Sequence, residues 1–154
     1  MSAKHNRFIT YPASIELRTL GELDIVDFSS ELAATVRSSG VSDGVVNVFV
    51  AGSTAAITTI EYESGAVSDL KDAISRIAPA DLHYDHDAKW GDGNGRSHVR
   101  AAMIGPSVSL PVREGVPIMG TWQQVVLIEL DLGSRDRRIY VTVYGTTNKE
   151  GASS

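Results

Sequence analysis

The spacing of hydrophobic and polar residues changes several times along the chain, and each change marks an element. Phe8–Arg18 sets β-branched and aromatic residues in rough alternation, which predicts a first strand. Phe28, Leu32 and Val36 then recur at helical spacing, with Asp27 placed to cap the start and Gly40 to stop the end. Val45–Val50 is almost wholly apolar, the pattern of a strand covered on both faces. Ala55–Tyr62, rich in Ile and Thr, extends as another strand. A second helix fits Val67–Ala78, with Leu70, Ile74 and Ile77 on one face and Pro79 ending it.

Beyond a long polar stretch the spacing predicts a short helix over His98–Ile104. Strands follow at Val108–Val112, Val116–Met119, Thr121–Leu130 and Arg138–Tyr144. Turn-like Arg113-Glu114-Gly115 and Gly133-Ser134-Arg135-Asp136 separate some of them, so a C-terminal antiparallel meander is expected. Helices early and hairpin-connected strands late indicate an α+β class. Gln123–Leu130 (QQVVLIEL) has no polar face in its middle, so either two sheets stack there or another subunit covers it. No repeat or linker divides the chain. One domain over 1–154 is expected, with residues 1–7 and 146–154 frayed.

Composition narrows the chemistry. The 154 residues, 42% hydrophobic and 21% charged, suit one ordinary globular domain. There is no cysteine, which excludes disulfides, thiolate nucleophiles and Cys-based metal sites. Lys and Arg number 14 against 19 Asp and Glu, a net charge of −5 that argues against nucleic-acid binding. Neither a signal peptide nor a membrane-length apolar run is apparent, so a soluble cytoplasmic protein is expected.

The segment Asp81–Arg100 (DLHYDHDAKWGDGNGRSHVR) holds His83, His86 and His98, four aspartates and three alternating glycines. Imidazole and carboxylate are ligands for divalent metals. His86 and His98 could converge on such an ion, completed by Asp92, Asn94 or Glu61; they could equally be solvated loop residues. Gly91-Asp92-Gly93-Asn94-Gly95 could turn its N–H groups toward an anion, with Arg96 and Arg100 beside it, or be a flexible turn. No Walker or dinucleotide-binding pattern is present. Ser53 and Thr54 follow a buried strand and could face a pocket or simply make the turn. Glu61 and Glu63 share one face of a strand end, as an acid–base pair or as solvated carboxylates. Trp122 is either core packing or an aromatic wall for a flat heterocycle.

Several of these segments, taken together, resemble the YjbQ-like proteins, also described as secondary thiamine-phosphate synthases. The carrying residues are Val48–Glu61, then His86 through Gly91-Asp92-Gly93-Asn94-Gly95 to Ala101, with Gly105-Pro106-Ser107, Pro111-Val112 and Gly120-Thr121-Trp122-Gln123. The resemblance implies an α+β domain of two stacked, mainly antiparallel sheets with a few helices, assembled as a homotrimer. It also implies a site near subunit contacts that handles a divalent metal (Mg or Zn) and a small phosphorylated substrate. On that basis His86 and His98 are expected as metal ligands, with Glu61 and Asp92 as catalytic carboxylates. Ser53, Thr54, Asn94 and Arg100 would position phosphate, and Trp122 would pack on the ring. This chain carries Gly52 where many members carry His, a gap that His83 could fill. The implied activity joins a pyrimidine pyrophosphate to a thiazole phosphate. The alternatives are a metal-dependent phosphoester hydrolase and a non-catalytic trimer that binds a small anion.

Overall fold

A computed structural model of the chain describes residues 6–148. The architecture is α+β, with two antiparallel sheets and a few helices. In chain order the elements are β1 (Arg7–Arg18), β2 (Ile25–Asp27), α1 (Ser29–Ser39), β3 (Asp43–Val50), β4 (Ala55–Ile60) and α2 (Ser64–Ile77). Then follow α3 (Asp85–Trp90), α4 (Gly95–Ile104), β5 (Ser107–Arg113), β6 (Val116–Pro117), β7 (Gln124–Glu129) and β8 (Asp136–Thr147). One sheet has the order β1-β8-β3-β5-β6, the other β2-β7-β4.

The expected C-terminal meander is corrected. β5 and β6 do form a hairpin, but β7 joins the second sheet and β8 returns between β1 and β3. The reason lies in β7 itself, whose Val125–Glu129 are all buried. An apolar strand needs cover on both faces, and the centre of a sandwiched sheet supplies it. Val125 and Leu127 join one core with Val46, Val48, Ile139 and Val141, capped by Phe28 and by Leu32 and Val36 of α1. Val126 and Ile128 point the other way, into a second core with Ala56, Ile74 of α2 and Ala101 of α4. The molecule is therefore layered sheet, sheet, helices.

Other boundaries move for local reasons. α2 begins at Ser64 rather than Val67 because the Glu63 carboxylate accepts the N–H groups of Gly65 and Ala66. Those N–H groups hold the Glu63 carboxyl below its usual range. Glu63 is thus a helix cap, not half of a carboxylate pair with Glu61. Arg7 pairs with Thr147 and Phe8 with Thr146, so the ends expected to fray are partly strand. The rest of those expectations, at residues 1–5 and 149–154, lies outside the described residues.

Candidate metal centre

The polar stretch Asp81–Arg100 folds as two short helices joined at a tight turn. α3 ends at Gly91, whose left-handed conformation lets its N–H bond the Asp87 carbonyl. α4 begins at Gly95, whose N–H donates to Asp87 Oδ1 at 2.7 Å. A Cβ at Gly95 would lie 2.5 Å from Tyr84 Cβ, so only glycine lets the two helices close on each other. The Asn94 N–H is held in turn by Asp92 Oδ1 at 3.1 Å. Carboxylates therefore take the Asn94 and Gly95 N–H groups and a carbonyl that of Gly91, and the glycine loop is corrected from a phosphate cradle to a clasp.

This clasp gathers His86, Asp87 and Asp92, whose candidate ligand atoms all lie within 4.8 Å of one another. His86 Nδ1 is 3.2 Å from Asp92 Oδ1 and 3.7 Å from Asp87 Oδ1. It is nevertheless buried without a hydrogen-bond partner: the Asp87 oxygen is too far, and the Asp92 oxygen, though near enough, does not lie in line with the ring. A buried polar nitrogen left so, facing two carboxylates, suits a cation shared among them better than a hydrogen bond.

His98 lies beside this trio, its ring centroid 4.5 Å from that of His86. Its Nδ1 is 3.2 Å from the Ser53 carbonyl oxygen. A carbonyl only accepts, so Nδ1 carries the proton and Nε2 keeps the lone pair. Ser53 lies in the turn between β3 and β4, where the chain crosses from one sheet to the other. Beneath that turn is a buried polar network. Glu129, fully buried, is bridged by Arg137 through Nε at 2.8 Å and Nη2 at 2.5 Å. Arg137 Nη2 also donates to Thr54 Oγ1 at 2.8 Å, and the Thr54 hydroxyl donates to Asp131 at 3.1 Å. Burial pushes the Asp131 carboxyl up, but the Gly133 N–H, the Thr54 hydroxyl and Arg135 together hold it below its usual range.

Of the residues singled out from sequence, His86, His98, Asp92 and Ser53 converge here, and Asn94 starts α4 with its side chain accepting from the Ser97 hydroxyl at 2.9 Å. Others do not. Arg100 is buried, donating to Glu22 at 2.9 Å and to the Ala78 carbonyl at 3.0 Å, so it is not free to position phosphate. Arg96 likewise grips Glu22. Thr54 is enclosed in the network rather than facing a ligand. Glu61 follows the last residue of β4, a six-residue strand that carries it roughly 20 Å from Ser53 at ordinary strand rise. Trp122 stands at that same far end, 73% exposed, so it is not core packing, and within one chain it is remote from the His86 trio. His83 is exposed beside Asp85 and does not fill the place of a histidine at Gly52.

Asp87, Glu129 and Arg137 were not legible as site residues. Glu129 did leave a signal: a lone carboxylate inside an apolar strand must find a partner when buried.

The family model for UPF0047 YjbQ-like proteins matches residues 13–146. A UPF0047 protein of Methanothermobacter thermautotrophicus is 39% identical over 135 residues, 88% of this chain and 92% of its own length. One from Mycobacterium bovis is 37% identical over 115 residues, 75% of this chain and 87% of its own. A crystal structure from Sulfolobus solfataricus P2, described as of unknown function, aligns with TM-score 0.86 and 32% identity over 90% of this chain and 99% of that one. A Clostridium acetobutylicum structure aligns at 0.78 with 30% identity, over 85% and 98%. The expectation of thiamine-phosphate synthase activity is corrected: these relatives are described only as UPF0047 proteins or as of unknown function. The likeness brings the fold and no thiamine chemistry. Among the described residues no helix is long and apolar enough to cross a membrane.

Proposed function

Because the chain belongs to the UPF0047 family of YjbQ-like proteins, we propose that it is a metal-dependent enzyme whose centre lies in the α3–α4 clasp. His86, Asp87 and Asp92 would hold the ion. The observation that carries this is His86 Nδ1, buried and unpartnered between two carboxylates. Mixed imidazole and carboxylate donors suit zinc or another divalent first-row ion. Such an ion would supply Lewis-acid polarisation of a bound oxyanion. The protein's own part is positional. Asp87 is fixed by the Gly95 N–H and Asp92 by the Asn94 N–H. His98, its Nδ1–H anchored on Ser53, offers Nε2 as a proton acceptor beside the centre. Calorimetric titration of chelator-treated protein with Zn²⁺ and Mn²⁺ is the test. One ion per chain is expected, with uptake abolished in His86→Ala and retained in His98→Ala. Equal uptake by wild type and His86→Ala would remove the centre.

The working unit in this proposal is a homotrimer. Phe49, Tyr140 and Tyr144 are all more than a third exposed on one face of the five-stranded sheet, and nothing among the described residues covers them. Assembly would also give Glu61 and Trp122, remote from His98 within one chain, a route to a neighbour's site.

A further inference from the structure

We infer that Arg137 is a positioning residue for His98: it locks the Ser53–Thr54 peptide so that the His98 lone pair stays on Nε2. His98 Nδ1 lies 3.2 Å from the Ser53 carbonyl oxygen. Which imidazole nitrogen carries the proton follows from the partner that the other nitrogen finds. A carbonyl at Nδ1 puts the proton there. Turning the Ser53–Thr54 peptide over would present the Thr54 N–H instead, and the proton would move to Nε2. The orientation of one peptide group therefore decides whether Nε2 is a proton acceptor or a donor.

The turn itself does not fix that orientation. Gly52 and Ser53 are exposed, and Gly52 takes a φ of +109° in a region open chiefly to glycine. The support lies underneath. Arg137 Nη2 donates to the Thr54 carbonyl at 3.2 Å and to the Thr54 hydroxyl at 2.8 Å. The Leu130 N–H shares that carbonyl at 2.9 Å, and the hydroxyl donates onward to Asp131. Among the described residues only Leu23 and Glu114 combine a side chain with a positive φ, so the φ of Thr54 is negative. With its carbonyl and hydroxyl pinned, turning over the preceding peptide would swing Thr54 to positive φ, which a β-branched residue resists. A Cβ on Gly52 would lie 3.0 Å from Arg137 Nη1, so the other end of the turn rests on the same guanidinium.

Arg137 can serve as a support because Glu129 holds it. The buried carboxylate accepts from Nε and Nη2 in a fork, and is itself fixed by the Thr19 hydroxyl and the Asp131 N–H. A well-packed apolar pair would fill the same space with similar stability. It would not reach the carbonyl and the hydroxyl of Thr54 from one planar group. Stability alone therefore does not account for the ion pair; the turn it holds does.

As a statement about chemistry, this rests on the role of His98 proposed above, whereas the tautomer is a property of the metal-free chain. Nitrogen NMR of isotopically labelled, chelator-treated protein reads it at about pH 9, where ordinary imidazoles, with pKa about 6.5, are neutral. The His98 signals are assigned by their loss in His98→Gln. Wild-type His98 is expected to carry its proton on Nδ1, against the preference of free imidazole for Nε2. Arg137→Lys keeps a charge against Glu129 but loses the fork. It should move the tautomer ratio toward Nε2–H about tenfold, the bias set by one hydrogen bond. Thr54→Val keeps the side-chain shape without the hydroxyl; it should move the ratio the same way, and it serves where the lysine variant fails to fold. Both variants should keep the backbone amide spectrum away from the turn and the Zn²⁺ uptake of wild type. No Zn²⁺ uptake by wild type, with the tautomers as expected, would defeat the metal centre alone. The lock is overturned by a wild-type His98 protonated on Nε2, by an unchanged ratio in both variants, or by a shift seen only where the amide spectrum elsewhere collapses.

Discussion

Glu22 holds two arginines of α4 with one carboxylate. Its Oε1 accepts from Arg96 Nε at 2.7 Å and from Arg100 Nη1 at 2.9 Å, and its Oε2 accepts from Arg96 Nη2 at 3.0 Å. The hydrogen bond from Arg96 does most to hold the Glu22 carboxyl below its usual range, against burial that pushes it up. A carboxyl whose folded pKa is lowered stabilises the protein above the unfolded value, about 4.3, and loses that contribution as pH falls through the folded value. Glu22→Gln should therefore cost about 2–3 kcal/mol at pH 7, since it leaves the buried Arg100 half-paired. It should also flatten the loss of stability below pH 4. Urea melts of both proteins across that range check both points, and superimposed curves would refute the role. At this scale the sequence was informative about types and silent about partners. His86, His98 and Asp92 were visible as donors clustered in one segment. That Arg96 and Arg100 are engaged by Glu22, some 74 and 78 residues away, has no local trace.

Helices with an apolar stripe were legible, and the one without was not. α3 has no buried residue, so no hydrophobic period announces it. What holds it is the clasp to α4: the Asp87 carboxylate on the Gly95 N–H and the close approach of Tyr84 to Gly95. Gly95→Ala forces those helices apart by pressing a methyl group on the tyrosine. The expected result is Zn²⁺ affinity lowered about tenfold or more, because Asp87 and Asp92 lose their registration on His86. Calorimetry against wild type measures this, and an unchanged affinity would show that the clasp does not set the ligands. The strand pattern fared better because period-two alternation survives burial on one face. It missed the three-residue β2 and misled about pairing: β7 and β8 look like consecutive hairpin partners, yet the doubly buried face of β7 sends it to the other sheet.

In the whole molecule, β7 divides two cores, and the exposed face of the five-stranded sheet remains for association. Light scattering should give three times the 16.5 kDa chain mass for wild type. Tyr140→Glu, placing a charge in that face, should shift the mass toward one chain; a monomeric wild type would end the trimer proposal. The sequence carried the need for cover on QQVVLIEL but not whether a sheet, helices or a partner supplies it, because an apolar face records only that water is excluded. The charged strut under the Ser53 turn has a consequence for how the molecule comes into being. Thr19 donates to Glu129 across 110 residues, and Thr54 meets Arg137 across 83. Contacts so distant along the chain carry large loop-closure entropy and form only once both sheets are in place. The network is thus assembled late, and a chain that has collapsed without docking its sheets lacks it. Formation of this buried network then reports complete maturation, separating finished molecules from compact intermediates that secondary structure alone would not distinguish.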